Sequence, residues 1–413
     1  MSADIEPHPP IPVIELREHG RPVAYRLPDA AGRTLAGSGI LETTPDPYEP
    51  GWWQLKAGSM VGAATLTTPA GQAITLRITP KLPIARLFFL LGYALNPKGW
   101  QQDAVDVAEH ADLLPALAHT YERQLERALR QGTLQGYRTT EETSLLVRGR
   151  IREADQIRRH YGLALPVEVS FDEYTVDIPE NQLLRAATER LLRLPAIPTL
   201  TRRRLLSHRA RLADAAALVR GHVMPDWRPS RLNSRYHPAL HLAGIILRDS
   251  SVEHIVGDLR VNGFLFDMNK LFEDFVCVAL REDLHGRGGR TELQGRGIHL
   301  DEADTVRIRP DFVWYDASGH ARAVVDAKYK AEQPEGFPDA DLYQLLAYCT
   351  ALHLPAGHLI YAKGNPHTSH RIRNAGIRIH QHALDLDQPP KGLLGDISSI
   401  ANALSDRQHA SGS

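Results

Sequence analysis

The segment from His320 to Lys330, HARAVVDAKYK, breaks an apolar, β-branched run with one acid and one base two residues apart. Side chains at i and i+2 of a strand leave the same face, so Val324, Asp326 and Lys328 point one way and Val325 and Ala327 the other. A carboxylate and an ammonium on a buried face are costly without partners. The face that carries them is therefore a poor core face, which leaves an exposed hairpin or a polar site. Upstream, VRIRPDFVWYD from Val306 to Asp316 reads as a second strand, and the turn Ala317-Ser318-Gly319 between the two is a hairpin signal. The hairpin carries Asp311 towards Asp326. Two carboxylates converging on one point suit a hard divalent cation such as Mg2+, or Mn2+ in its place, because such ions take oxygen ligands and keep several waters.

A D-x-K triplet alone is common on exposed hairpins, and the order of elements around this one is what adds weight. A helix read from Phe264 to Leu284 precedes the hairpin and carries Glu273; its apolar positions Leu265, Met268, Leu271, Phe272, Phe275, Val276 and Ala279 form one stripe. A helix from about Asp339 to Leu352 follows and sets Gln344 and Tyr348 at i and i+4 on one face. HLIYA (His358 to Ala362) and IRIHQHAL (Ile377 to Leu384) read as two further strands.

At 413 residues, 43% hydrophobic and 23% charged, the chain exceeds one ordinary domain and can bury a sizeable core. Residues 1–100 hold short extended patterns separated by Gly, Pro or Asp turns, among them WWQLKAG, SMVGAATLTT and ITLRITPKL. They are expected to form a β-rich domain ending in a buried helix, Ala85 to Leu95. Residues 101–222 read as a helical middle region, with Leu113, Leu117, Tyr121 and Leu125, and later Leu183, Leu184, Ala187 and Leu191, at helical spacing. The proline-punctuated stretch Gly221 to Pro238 is expected to lead into a C-terminal domain, residues 223–400, and residues 401–413 into a frayed tail. The expected fold class is a multidomain α+β or α/β chain.

With only Cys277 and Cys349, a disulfide framework and a Cys-rich zinc module are both excluded, and a reducing cytoplasm fits best. No run of about 18 apolar residues occurs, and the acidic, proline-rich start MSADIEPHPP is unlike a signal peptide, so neither export nor a membrane span is expected.

The order of helix, Pro310-Asp311 strand, tight turn, Asp326-x-Lys328 strand and helix resembles the PD-(D/E)xK nuclease fold, a mixed sheet flanked by helices. By that resemblance Asp311, Asp326 and Lys328 match the signature triad, Glu273 the acid of the preceding helix, and Gln344 and Tyr348 a Q-x-x-x-Y feature. Three blocks, ITPKLPIARLFFLLGYA (Ile78 to Ala94), FDEYTVDIPENQLLRAA (Phe171 to Ala187) and MNKLFEDFV (Met268 to Val276), look like segments of the McrC family, the nuclease subunit of modification-dependent restriction systems. The resemblance implies Mg2+-dependent hydrolysis of double-stranded, possibly methylated DNA. It also implies an McrB-like AAA+ GTPase partner, docked on the N-terminal portion. The sequence carries no G-x-x-x-x-G-K-[ST] phosphate loop, so nucleotide hydrolysis falls to another chain.

A net charge of −1 gives no global pull towards nucleic acid, so DNA contact needs a local patch. The stretch containing Arg202, Arg203, Arg204, Arg209, Arg211, Arg228, Arg231 and Arg235, with Trp227 and Tyr236 among them, is the candidate, against the plainer reading of a solvated helix and linker. His367, His370, His380 and His382 read as ordinary histidines, and Asp172, Glu173, Asp177 and Glu180 as the approach to a helix N-terminus. Two alternatives stand beside the restriction-nuclease reading: a stand-alone repair nuclease of the same fold, and a non-catalytic adaptor that activates an AAA+ ring.

Overall fold

The structure, a computed structural model, describes residues 13–69, 71–95, 97, 113–161, 163–194, 197–218, 224–248, 260–331, 339–363 and 368–405. The chain runs through β1 (Ile14–Arg17), β2 (Val23–Arg26), α1 (Asp29–Gly37), β3 (Leu41–Pro45), β4 (Trp52–Ala57), β5 (Met60–Thr67), β6 (Ala73–Thr79), α2 (Ile84–Leu95) and α3 (Leu113–Leu129). It continues with β7 (Gly136–Ser144), β8 (Arg150–Ile151), α4 (Glu153–His160), β9 (Val167–Thr175), α5 (Pro179–Leu192), α6 (Thr199–Arg211) and α7 (His237–Arg248). The last part holds β10 (Arg260–Asp267), α8 (Met268–Leu284), β11 (Arg290–Leu293), β12 (Ile298–His299), β13 (Arg307–Ile308), β14 (Phe312–Tyr315), β15 (Ala321–Ala331), α9 (Asp339–Ala351), β16 (Ala356–Lys363), β17 (Thr368–Arg371), β18 (Arg378–Ala383) and α10 (Pro390–Ser405). Compactness joins Met1–Leu113 with Asp249–Ser413 in one unit and leaves Leu114–Arg248 as the other.

In the first unit, alternating burial along β5 and β6 marks strands with one face on a core. They form a four-stranded sheet in the order β1-β6-β5-β10, with β10 antiparallel to β5 from Arg260↔Thr67 to Asp267↔Met60. A small sheet, β2-β4-β3, and α1 close the core around Ile14, Leu35, Trp53, Leu55, Leu66 and Leu76. The helix expected from Phe264 is thus corrected: Phe264, Leu265 and Phe266 are buried strand residues, and the helix starts at Met268. Asp267 decides the switch. Its side chain accepts a hydrogen bond from Asn269 N at 3.0 Å and one from Ser59 Oγ at 2.9 Å, which caps the helix and ties it to the strand's partner. The sequence-order division at residues 100 and 222 is therefore not the division by compactness.

The second sheet of this unit has the order β11-β14-β15-β16-β18-β17. β14 and β15 form the expected hairpin, with Phe312↔Val325 and Val313↔Val324, and β15, β16 and β18 run parallel. α9 covers the face bearing Val324, Leu359, Tyr361 and Ile379, while Phe272 of α8 meets Tyr329 on the other face at 6.0 Å between ring centroids. Val306 to Asp316 is not one strand. Pro310 has no N–H to give a ladder, and its carbonyl and that of Asp311 accept instead from Gly295 N and Gln294 N at 2.9 and 2.8 Å. The chain breaks there into β13, paired with β12, and β14. α10 extends through Ser405, so residues 401–405 are helical; 406–413 lie outside the described residues.

The second unit packs α3, α5, α6 and α7 around Tyr121, Leu125, Leu184, Leu191, Leu205 and Ala243. The hydroxyl of Tyr121 donates to Leu184 O at 2.7 Å, which makes its full burial tolerable. The helical reading of residues 101–222 is corrected by a three-stranded antiparallel sheet, β7-β9-β8. β7, GYRTTEETS, has no fully buried residue and therefore no apolar alternation to announce it. Asp172 and Glu173 lie on β9 rather than ahead of a helix. The Gly221 to Pro238 stretch, described from residue 224, leads into α7 of this same unit, so it is no linker to the C-terminal part.

Candidate functional site

Asp326 and Lys328 project from β15 on the α9 face, as the two-residue spacing requires, with Val324 below them in the core. The carboxylate of Asp326 is almost completely buried, at 1% exposure, and Lys328 Nζ lies 2.6 Å from its Oδ2. Neither oxygen of Asp326 receives a hydrogen bond of good geometry. Asp311 sits just ahead of β14, where the break at Pro310 frees its side chain to turn across the hairpin. Its Oδ2 accepts from Ala327 N at 2.9 Å, which fixes a second carboxylate beside Asp326.

The electrostatics follow from burial. Asp326 is pushed up to about 7, first by burial and then by the charge of Asp311, with Lys328 opposing both. Burial also raises Asp311, offset in part by the Ala327 N–H and reinforced by Glu273. Burial works against the Lys328 ammonium, but the charges of Asp326, Asp311 and Asp341 outweigh it and hold the group above its ordinary value. Glu273 of α8 is half-buried; burial and the charges of Asp274 and Asp326 raise it.

Glu273 is also engaged, since its Oε1 accepts from Gln294 Nε2. Gln294, which sequence reasoning missed, comes from the segment after β11, far from the signature residues and without a motif of its own. On α9, Gln344 Nε2 donates to Tyr348 Oη at 2.7 Å, and Tyr348 Oη donates to Arg309 O at 3.1 Å. The i and i+4 pair thus anchors the peptide just before Pro310-Asp311.

Among the described residues no group of three or more His, Cys, Asp or Glu side chains is arranged to hold a metal ion. Glu273 therefore does not complete a three-carboxylate cage with Asp311 and Asp326. The two aspartates fit a different demand. Mg2+ is ordinarily held by one or two carboxylates with the rest of its shell left to water and phosphate, and Oδ1 of buried Asp326, which has no hydrogen-bond partner, is an acceptor that such an ion would satisfy.

The sequence matches the family model described as McrBC 5-methylcytosine restriction system component over residues 55–362. The chain belongs to the McrBC family. It is also similar to a chain in the refined half-complex from a tetradecameric assembly of Thermococcus gammatolerans McrB AAA+ hexamers with bound McrC. That match has 19% identity, covers 95% of this chain and 100% of the other, and has a TM-score of 0.58. At that identity the likeness shows a common fold, a mixed α and β chain with several sheets. A chain from the cryo-EM structure of the Thermococcus gammatolerans McrBC complex matches at 20% identity over 66% of this chain and 88% of its own, with a TM-score of 0.39. No curated protein matches the sequence. Among the described residues of this McrBC family member, no helix is long and apolar enough to cross a membrane.

The arginine stretch lies in the second unit and divides in two. Arg202 donates to Leu192 O and Leu194 O, Arg204 to Glu122, Arg211 to Leu129 O, and Arg235 to Gln131 and Gly132 O. These four tie helices and turns together. Arg203, Arg209, Arg228 and Arg231 are exposed. Trp227, half-buried, packs at tilted angles against His237 and His241, with ring centroids 5.3 and 5.7 Å apart, and Tyr236 is buried, so Tyr236 is not presented on the surface with the arginines. His358, His380 and His382 stack on the face of the second sheet away from α9, with His358 Nδ1 3.0 Å from His382 Nε2; His367 lies outside the described residues.

Proposed function

We propose that this chain is the nuclease component of an McrBC restriction assembly, hydrolysing DNA phosphodiester bonds with Mg2+ at a PD-(D/E)xK site. The observation that carries the reading is the convergence of Asp311, Asp326 and Lys328 at one end of the β14–β15 hairpin in a chain of this family. Asp311 and Asp326 would hold the ion, for which Mn2+ can substitute. When bound, a divalent cation supplies Lewis acidity at the phosphate and makes water a stronger acid. Lys328 contributes positive charge where the phosphoryl oxygens gain negative charge. Glu273, whose Oε1 accepts from Gln294, is placed to accept a proton or a hydrogen bond from water at the edge of the site. Tyr348 and Gln344 fix the Arg309 carbonyl and with it the approach to Asp311. Exposed Arg203, Arg209, Arg228 and Arg231 are proposed phosphate contacts.

The test is cleavage of DNA by the chain reconstituted with an McrB-type AAA+ partner, with and without GTP and with methylated or unmethylated substrate. Cleavage is expected with Mg2+ or Mn2+, and none with chelator. Ca2+ is expected to support DNA binding without turnover, because its looser shell places the attacking water poorly. Full activity in excess EDTA overturns the assignment.

An AAA+ partner is proposed from the McrB hexamers with which the structural neighbour is assembled. Where it docks is open to two readings. The N-terminal region is one, but its apolar residues largely form its own core. The second reading places docking on the β7-β9-β8 sheet and α4. There Tyr137, Leu145, Leu146, Val147, Ile157, Tyr161 and Tyr174 are exposed, an apolar surface of the kind that marks a protein contact.

A further inference from the structure

Burial alternates along β1 through Ile14 and Leu16, and the next inward position, just past the strand, holds Glu18, which is 0% exposed. An apolar side chain would continue that core face, whereas a buried carboxylate is expensive unless something uses its charge. Oε2 of Glu18 accepts a hydrogen bond from Lys81 N at 2.8 Å, and Oε1 has no hydrogen-bond partner. The residue lines a cavity of about 360 Å³, where the loops after β1 and β6 meet the carboxyl ends of β15 and β16 and the segment after β18. A cavity of this size takes a small organic molecule or a long side chain. It lies across β15 from the candidate metal site, since Tyr329, which lines it, leaves the strand on the α8 face, opposite Lys328.

Tyr329, Leu82 and Leu386 give the cavity apolar walls. Burial and the charges of Glu18 and Asp387 hold the Tyr329 phenol protonated, so the interior is negative. Lys81 and Lys363 are exposed, and the charge of Arg86 serves Asp385 and Asp387. Among the described residues no group of His, Cys, Asp and Glu is arranged there for a metal ion. A flat, weakly hydrated cation with several N–H donors suits an acidic floor between apolar walls better than a strongly hydrated ammonium. We propose that this cavity is a binding site for a guanidinium group, which donates to Oε1 of Glu18 between Tyr329, Leu82 and Leu386. The group belongs to a free guanidino compound or to an arginine side chain presented by another protein. A glutamate that merely ties the turn after β1 to Lys81 would leave the cavity without such a ligand.

Calorimetric titration of the full chain, free of DNA and partner, with butylguanidinium separates these cases, with neutral butylurea of nearly the same shape as the control. Saturable one-to-one binding of butylguanidinium is expected, with butylurea at least about tenfold weaker, the scale of a hydrogen bond to a charged group. Glu18→Gln keeps an acceptor for Lys81 N and removes the charge, and is expected to weaken butylguanidinium binding about tenfold or more. Ala362→Phe leaves Glu18 in place and fills the cavity from its wall. It is expected to abolish binding, and it carries the test if Glu18→Gln melts early. A blocked pentapeptide with one central arginine separates the two sources: binding as tight as the small probe's favours a protein-borne arginine, and exclusion favours a free compound. Wild-type protein that binds no butylguanidinium, or binds butylurea equally well, overturns the proposal, as does unchanged affinity in either folded variant.

Discussion

Asp326 carries the clearest consequence for stability. In an unfolded chain it ionises near 3.9, whereas burial and Asp311 move it to about 7 in the folded protein. Between those values the folded state binds the extra proton, so metal-free stability falls as pH rises from about 4 to about 7 and stays low above it, by up to roughly 4 kcal/mol. Asp326→Asn removes that titration. With chelator present, the variant is expected to melt with wild type at pH 4 and above it at pH 8, while its DNA cleavage is lost. A melting difference that does not change with pH contradicts the burial account. Asp326, Lys328 and Asp311 were legible in the sequence because strand spacing and a tight turn are local rules. Gln294 against Glu273, Arg309 O against Tyr348 and Asp341 against Tyr361 were not, because each pairs residues that only the assembled sheet and helices bring together.

Among the elements, the junction of β10 and α8 shows why one helix was read too long. Phe264-Leu265-Phe266 continues the helical stripe on paper, yet those residues fill a sheet whose other strands lie some two hundred positions earlier. Tertiary pairing overrode local periodicity. Gly62 is the residue on which that pairing turns: its φ is +126°, and a Cβ there would stand 2.1 Å from Phe264 O. Gly62→Ala is therefore expected to cost about 3 kcal/mol or more, from backbone strain and a displaced strand. Urea unfolding checks the magnitude, and faster amide exchange along β10 checks the cause. Unchanged exchange there, with or without a stability loss, argues against the pairing. For the same reason a fragment starting at Val223 is expected to aggregate, since it would expose Phe264, Leu265 and Phe266, and Phe275 without its contact to Phe89 of α2.

For the molecule as a whole, the two compact units carry different kinds of surface, and docking on the β7-β9-β8 sheet would put the two proposed activities in different units. The candidate metal site lies in the unit that joins Met1–Leu113 with Asp249–Ser413, whereas among the described residues the longest run of consecutive exposed apolar side chains, Leu145-Leu146-Val147 between β7 and β8, lies in the other. A small sheet with so little buried under it gains stability from a partner that covers it. Sequence patterning did not show this, because β7 reads Thr-Thr-Glu-Glu-Thr with no apolar alternation and Leu145-Leu146-Val147 fall in the loop beyond it. Replacing Leu145, Leu146 and Val147 with serine removes no core packing, so folding is expected to change by under about 0.5 kcal/mol per site. Loss of a central apolar contact typically costs an interface 2 kcal/mol or more, about thirtyfold in affinity. The triple variant is therefore expected to keep Mn2+ binding and lose association with, and NTPase stimulation of, the AAA+ partner. Asp326→Asn is expected to do the reverse, stimulating the partner at the wild-type level while leaving DNA intact. Partner binding and NTPase rate, measured in parallel on both proteins, decide between the docking sites: a serine variant that still stimulates fully moves docking back to the N-terminal region.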